Sequence, residues 1–393
     1  MSEFDVIDAD EPEKDAETLL TPLTPVGTSP REQLVRSLVD TVVLPTGRLS
    51  ASERSLAADI LLQILDKVEL PLRVDVAKRI ARVPDSPSSL QRMLALDEPT
   101  VAAELLTKVQ AIPEALLIEA ARSGTTAHRM LIAKRNDMSG PIADVLIEFR
   151  EIDVCMEVLR REEFTLSPTG INTLVAMSAT KNELQPLLLR RSELEPSHGF
   201  MMFWWVESGR RKRILTRFAL DRGTIQDALA DLYPKVFRDK NFSDPFVKEI
   251  LIFAERRHRP RGVNGEQVDM DVVLRTLTAA RKYPGQEVID AIGMIAGVSR
   301  ELAARIVRDP QGESFAVLCK SLGLPRDQFF EIVSIQGESA IGDPEDLLEV
   351  FDTMARDYAR AVLRYWDWDG NPRIAHIMRL LGLTDDEDDE VAL

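Results

Sequence analysis

The sequence of 393 residues predicts an all-α protein: an α-solenoid of two-helix repeats followed by a helical C-terminal region. Three observations carry this reading. Apolar residues, mostly Leu, Ala, Val and Ile, recur at helical spacing. Strand signals are nearly absent: aromatics make up 6% of the chain, and no Asn-Gly turn joins alternating apolar runs. Between residues 72 and 209 one short helical pattern returns at a near-constant interval.

The order of elements follows from local chemistry. Residues 1–28 hold eight acids against one Lys14, with the run Thr21-Pro22-Leu23-Thr24-Pro25, and are predicted to be a disordered acidic tail. Capping helices follow at 29–71. Ser29, Pro30 and Glu32 form a helix opening, and Ser50 with Glu53 repeats the capping-box signal. Leu56, Ile60, Leu61, Ile64, Leu65 and Val68 then recur at helical spacing.

Residues 72–209 form the predicted repeat region. One set of segments covers 74–83, 100–112, 126–138, 152–164 and 181–194. Its members start at Val74, Thr100, Thr126, Ile152 and Lys181, in steps of 26, 26, 26 and 29 residues. A second set, at 87–97, 113–124, 140–151, 168–180 and 198–209, follows Ser, Pro or Gly corners. Helices this short are marginal alone, because nucleation costs more than a few hydrogen bonds return. Stacking successive pairs buries the faces that each pair leaves open. Pro87, Pro99, Pro113, Pro141 and Pro168 sit at or near the predicted helix starts, where the missing N–H costs nothing.

Residues 210–383 are read as a basic segment and a helical C-terminal region, with helices near 267–282, 285–296, 299–308, 313–322, 326–336, 344–365 and 373–381. Gly262-Val263-Asn264-Gly265 reads as a loop, and 384–393 as a second acidic tail. The net charge of −16 belongs mainly to the tails: residues 1–28 carry −7 and Asp385–Glu390 carry −6, leaving −3 for the body. Stretch 200–262 is the exception, with 14 basic residues against 8 acids.

The repeats at 72–200, the block FMMFWW-ESGRRKRIL and the segment AIGMIAGVSRELAARIVRDPQGESFAVLCKSLGL (291–324) resemble an uncharacterised, largely alphaproteobacterial family, domain-of-unknown-function 2336. That resemblance implies a HEAT-like helical architecture and offers no activity, cofactor or functional residue.

Chemistry-bearing motifs are missing. No His lies three or four residues from another His or Cys, so no metal site is expected. Neither a Gly-rich phosphate loop nor a G-x-S-x-G elbow occurs. The protein is therefore expected to be a non-enzyme without cofactors. Cys155 and Cys319 read as buried free thiols, and the acidic N-terminus shows no signal-peptide pattern, which points to the cytoplasm. No apolar run is long enough for a membrane span.

The leading expectation is a binding or scaffold protein that docks a protein or peptide partner on the concave face of the solenoid at about 72–209. Two further features suggest binding. The block Phe200–Trp205 offers Trp204 and Trp205 either as partner anchors or as core, and six consecutive apolar residues on one helix favour burial. The basic residues Arg210, Arg211, Lys212, Arg213 and Arg217, with Arg256, Arg257 and Arg259, suit an acidic or phosphorylated protein or peptide. The alternative is backbone-directed nucleic-acid binding through 210–261. Segment 296–307 resembles a helix-hairpin-helix in which Ser299 replaces the second glycine. Segment 318–333 resembles a helix-turn-helix whose reading helix carries Asp327, Phe329, Phe330 and Glu331, the wrong chemistry for a phosphate-lined groove. The acidic tails are candidate competitors for the basic runs.

Overall fold

A computed structural model describes residues 29–43, 50–83, 86–110, 112–218, 268–335 and 341–368. The tails 1–28 and 384–393, the loop 262–265, the helix expected at 373–381 and the residues Arg256, Arg257 and Arg259 lie outside them. Among the described residues every regular element is helical, and no strand occurs. The chain divides into two compact units, Met1–Leu174 and Val175–Leu393.

The first unit holds α1 (Pro30–Val43), α2 (Ala51–Ile64), α3 (Leu70–Ile80), α4 (Ser88–Ala95), α5 (Pro99–Lys108), α6 (Glu114–Ser123), α7 (Thr126–Ala133), α8 (Gly140–Glu148) and α9 (Ile152–Leu159). The division falls within α10 (Pro168–Ser178). Helix starts follow the predicted chemistry. Ser50 and Glu53 form a reciprocal capping box, as do Ser29 and Glu32. Pro99 and Pro168 open α5 and α10, while Pro87 and Pro113 are the N-caps of α4 and α6.

Helices α1, α3, α5, α7 and α9 contact one another in succession, and α2, α4, α6 and α8 do the same. This is the two-layer succession that stacked helical hairpins produce. Buried side chains recur at i and i+4 along these helices: Val76 and Ile80, Leu90 and Leu94, Val101 and Leu105, Val154 and Val158. Each such side chain contributes about 1.5–3 kcal/mol of burial, which offsets the poor intrinsic stability of helices of 8–11 residues.

Polar contacts also link segments about 25 residues apart in sequence. The Arg129 guanidinium donates from Nε and Nη2 to the Glu151 carboxylate at 2.7 and 2.6 Å. Arg92 donates to Glu119 in the same two-pronged way. Buried Arg135 donates to the carbonyls of Leu106, Val109 and Gln110, where α5 ends, and is held by Asp137. Arg161, 26 residues later in sequence, donates to the carbonyl of Lys134. Arg135 and Arg161 thereby satisfy carbonyls that a helix C-terminus leaves without intrahelical partners.

The second unit holds α11 (Gln185–Leu188), α12 (Pro196–Met202), α13 (Ser208–Arg217), α14 (Met270–Lys282), α15 (Gln286–Ala296), α16 (Arg300–Val307), α17 (Glu313–Leu322), α18 (Arg326–Val333), α19 (Pro344–Thr353) and α20 (Arg356–Trp368). Helix α17 is its axis. Nine of its ten residues are buried, and it contacts α13, α15, α16, α19 and α20. A helix covered on nearly every face belongs in a core.

Three expected elements differ in detail. Segment 344–365 is two helices, because Met354 adopts an extended conformation (ψ 135°) and is buried. The break lets both α19 and α20 lie on α17. Gly323, at φ 83°, ends α17 in a left-handed turn, and the Arg356 side chain occupies the space a Cβ would need. Segment 181–194 forms only a 3-10 turn at Asn182–Leu184 and the four residues of α11. The apolar block is not one helix: α12 ends at Met202, and Phe203–Trp205 turn the chain toward α13.

A candidate binding surface around Trp204

The predicted basic run begins on α13, and helical geometry separates its members. Successive residues are about 100° apart, so four adjacent basic residues cannot share a face. Arg211 stands three, four and seven residues before Ile214, Leu215 and Phe218, and all four are buried. The Arg211 guanidinium donates to Asp309 Oδ2 at 2.7 Å and lies 3.4 Å from Glu313 Oε2. Both carboxylates are buried as well. Ser208 Oγ donates to Glu313, Ser314 Oγ donates to Asp309 at 2.6 Å, and the Gln311 amide donates to Asp309 at 3.3 Å. Arg211 is thus an internal tie between α13 and the start of α17.

The other predicted residues of this stretch meet four different surroundings. Lys212 pairs with Glu349 of α19. Arg210 donates to Gln185 Oε1 at 2.9 Å, beside Trp205, whose indole N–H donates to Ser178 Oγ at 3.1 Å. Arg217 donates to the carbonyls of Leu189 and Arg191 at 2.9 and 2.6 Å, and burial together with neighbouring Arg213 lowers its pKa. Arg213 alone in the run is exposed with no ion-pair partner among the described residues.

The apolar block builds an aromatic cluster. Phe200 and Phe203 are 1% and 0% exposed, and Phe200 meets Phe218, Tyr358 and Tyr365 at 5.5–6.3 Å between ring centroids. Trp204 is half-buried at the edge of this cluster, edge-on to Phe203 and 4.7 Å from Trp366. Over its ring, 3.9 Å from the centroid, lies the guanidinium of Arg305. Burial lowers the pKa of Arg305, as does nearby Arg211, while Asp309 opposes the shift; the group stays a cation at neutral pH.

Arg305 is exposed, as is Arg308 three residues on, and neither has a carboxylate partner among the described residues. A continuous stack results: Arg305 on Trp204, Trp204 against Phe203, Phe203 under Arg211 at 4.7 Å, and Arg211 on Asp309. The buried ion pair fixes the aromatic layer, and that layer presents an indole and guanidinium groups at the surface.

Sequence reasoning named Trp204 but missed Arg305 and Arg308. Their only local signal was two arginines at i, i+3 near the end of a short helix. It also missed the roles of two histidines. The Thr125 amide donates to His128 Nδ1 at 3.1 Å, which leaves Nε2 as the donor to the Asp97 carbonyl at 2.8 Å. The Glu195 amide donates to His198 Nδ1 at 3.1 Å in the same manner. Both rings serve as helix caps, and no cluster of His, Cys, Asp and Glu able to hold a metal occurs among the described residues.

Neither nucleic-acid-like motif offers a reading surface. The Ser299 amide, which would face a phosphate in a helix-hairpin-helix, donates to buried Asp367 Oδ1 at 2.5 Å. In segment 318–333, Phe329 is core, Asp327, Phe330 and Glu331 are exposed, and the exposed cation of that helix, Arg326, pairs with Asp352 at 2.9 Å. Among the described residues, no helix is long and apolar enough to cross a membrane.

Fold and surface together define an all-helical protein with an arginine-capped tryptophan at the edge of its second unit. The chain belongs to the bacterial family described as "Uncharacterised protein conserved in bacteria (DUF2336)", whose model matches residues 101–364. No curated protein and no solved structure matches it.

Proposed function

We propose that this is a non-enzymatic binding or scaffold protein of the cytoplasm, which docks an acidic or phosphorylated segment of a partner protein on the Trp204–Arg305 surface. The observation that carries the proposal is the exposed Arg305 guanidinium stacked on Trp204 without a carboxylate partner among the described residues. Trp and Arg dominate the energetics of protein interfaces. A guanidinium held over an indole is partly ordered before binding, so less side-chain entropy remains to be lost on binding an anion. Arg308 adds a second cation on the same side of α16.

The geometry gives less support to a nucleic-acid backbone as the ligand. A phosphate track needs several free cations in a row, whereas Arg211 and Arg217 are engaged by acceptors within the second unit.

Affinity purification of the tagged full chain from its host tests the proposal, with Arg305→Glu as the control. Specific protein partners lost in that variant are expected. Recovery of nucleic acid instead, or of the same proteins with Arg305→Glu, overturns it.

A further inference from the structure

A second surface, of opposite charge, lies between α18 and α19. We propose that this groove docks a basic helical segment of a partner protein, seating one apolar side chain against Phe330 and Leu348 and its cations on Glu345, Glu349 and Asp352.

The groove has a volume of about 370 Å³ and is lined by Arg326, Phe330, Glu345, Leu348, Glu349 and Asp352. Its walls are packed against each other from behind. Phe329 of α18 and Phe351 of α19 stack at 4.3 Å with 12° between their planes, and both are buried. The core is therefore complete without Phe330, which follows Phe329 by one helical step and stays 38% exposed. An exposed phenyl group in a charged groove is the kind of anchor point found at the centre of interfaces.

The rim decides which partner fits. Glu345, Glu349 and Asp352 stand at i, i+4 and i+7 of α19 and share one face. The protein's own cations already sit on this rim: Lys212 on Glu349, and Arg326 on Asp352 at 2.9 Å. Both are surface pairs of small net worth, open to exchange with cations from a ligand. Glu345 has no cation partner among the described residues. Asp327, Glu331 and Asp346 are exposed on the same two helices and extend the negative field. Such a field attracts a basic protein segment and repels nucleic acid and anionic lipid. Helical spacing of the acids matches cations at i, i+4 and i+7 on a docked helix.

The test is fluorescence polarisation with the full chain. The probe is a labelled synthetic helical peptide with Arg at i, i+4 and i+7 and one central Leu. Saturable binding that weakens with added salt is expected, and Phe330→Ala and Glu345→Lys should each weaken it by about tenfold or more. Both positions are exposed, so unchanged melting curves would confirm that these variants fold. Trp204→Ala should leave this binding intact, which separates the test from that of the proposed function. Absence of saturable binding, or equal affinity in both groove variants, overturns the proposal. So does binding that emerges only after Arg256, Arg257 and Arg259 are replaced by Ala, since the chain's own basic run would then be the occupant. Concentration-dependent self-association abolished by Phe330→Ala would assign the groove to a second copy and overturn it likewise.

Discussion

Replacing Arg211 by Met removes a buried cation while keeping most of the side-chain volume. Asp309 and Glu313, 9% and 1% exposed, then lose the cation within ion-pair distance of both. Asp309 retains hydrogen bonds from Ser314 and Gln311, and Glu313 keeps only the one from Ser208. Breaking a buried pair by removing one partner costs about 3–5 kcal/mol. The total stability of a domain is about 5–15 kcal/mol, so the second unit should lose a large share of it. The predicted assay is urea unfolding followed by circular dichroism, with two transitions allowed because the chain forms two compact units. One transition should move to markedly lower urea, while Arg213→Met, on an exposed side chain, should shift it by no more than about 0.5 kcal/mol. Adding Asp309→Asn and Glu313→Gln to Arg211→Met should recover part of the loss, as a buried polar network without net charge is cheaper than an orphaned carboxylate. If Arg211→Met unfolds at the wild-type midpoint, the ion pair does not hold α13 to α17, and the support assigned to the Trp204 layer is wrong.

Four further predictions follow from other sites. Arg135→Ala strips three carbonyls at the end of α5 of their donor, so the first unit should lose about 2–4 kcal/mol in a denaturant titration. Burial pushes the Cys155 thiol up to about 12 and raises Cys319 well above its usual value, so an aromatic disulfide reagent at pH 8 should label neither thiol until the chain is unfolded. Hydrogen bonding from Arg129 lowers the pKa of Glu151 below its usual 4.5; that contribution is full above pH 4.5 and disappears as pH falls through the lowered value, so the midpoint of the first unit should drop in acid, and less so in Glu151→Gln. If the acidic tails compete for the basic surface, deleting residues 1–28 and 384–393 should raise affinity for the purified partner, and unchanged affinity would remove that idea.

Much of the fold was legible because its signals are local. Ser50 with Glu53, Ser299, and the prolines at 87, 99 and 113 mark helix starts through chemistry contained within one turn. The succession of short helices from Leu70 to Leu159 was legible because apolar residues recur there at helical spacing between proline and serine corners. Breaks imposed by packing were not. Met354 and the turn at Phe203–Trp205 interrupt helical patterns that the sequence continues, because α17 and the aromatic cluster need the chain to change direction there. For the candidate surface, the inward turn of Arg211 was in principle readable from its register with Ile214, Leu215 and Phe218. Its acceptors, Asp309 and Glu313, lie about a hundred residues away, and nothing in the spacing names them. The same distance separates Trp204 from Arg305, so the pairing that carries the functional proposal came only with the fold.

The most direct measurement places a photoactivatable crosslinking amino acid at position 308, beside Arg305, in the full chain expressed in its host. Illumination should yield adducts with a small set of proteins, joined through acidic or phosphorylated segments, and Trp204→Ala in the same chain should abolish them. Adducts with nucleic acid, or protein adducts indifferent to Trp204→Ala, would contradict recognition at this surface.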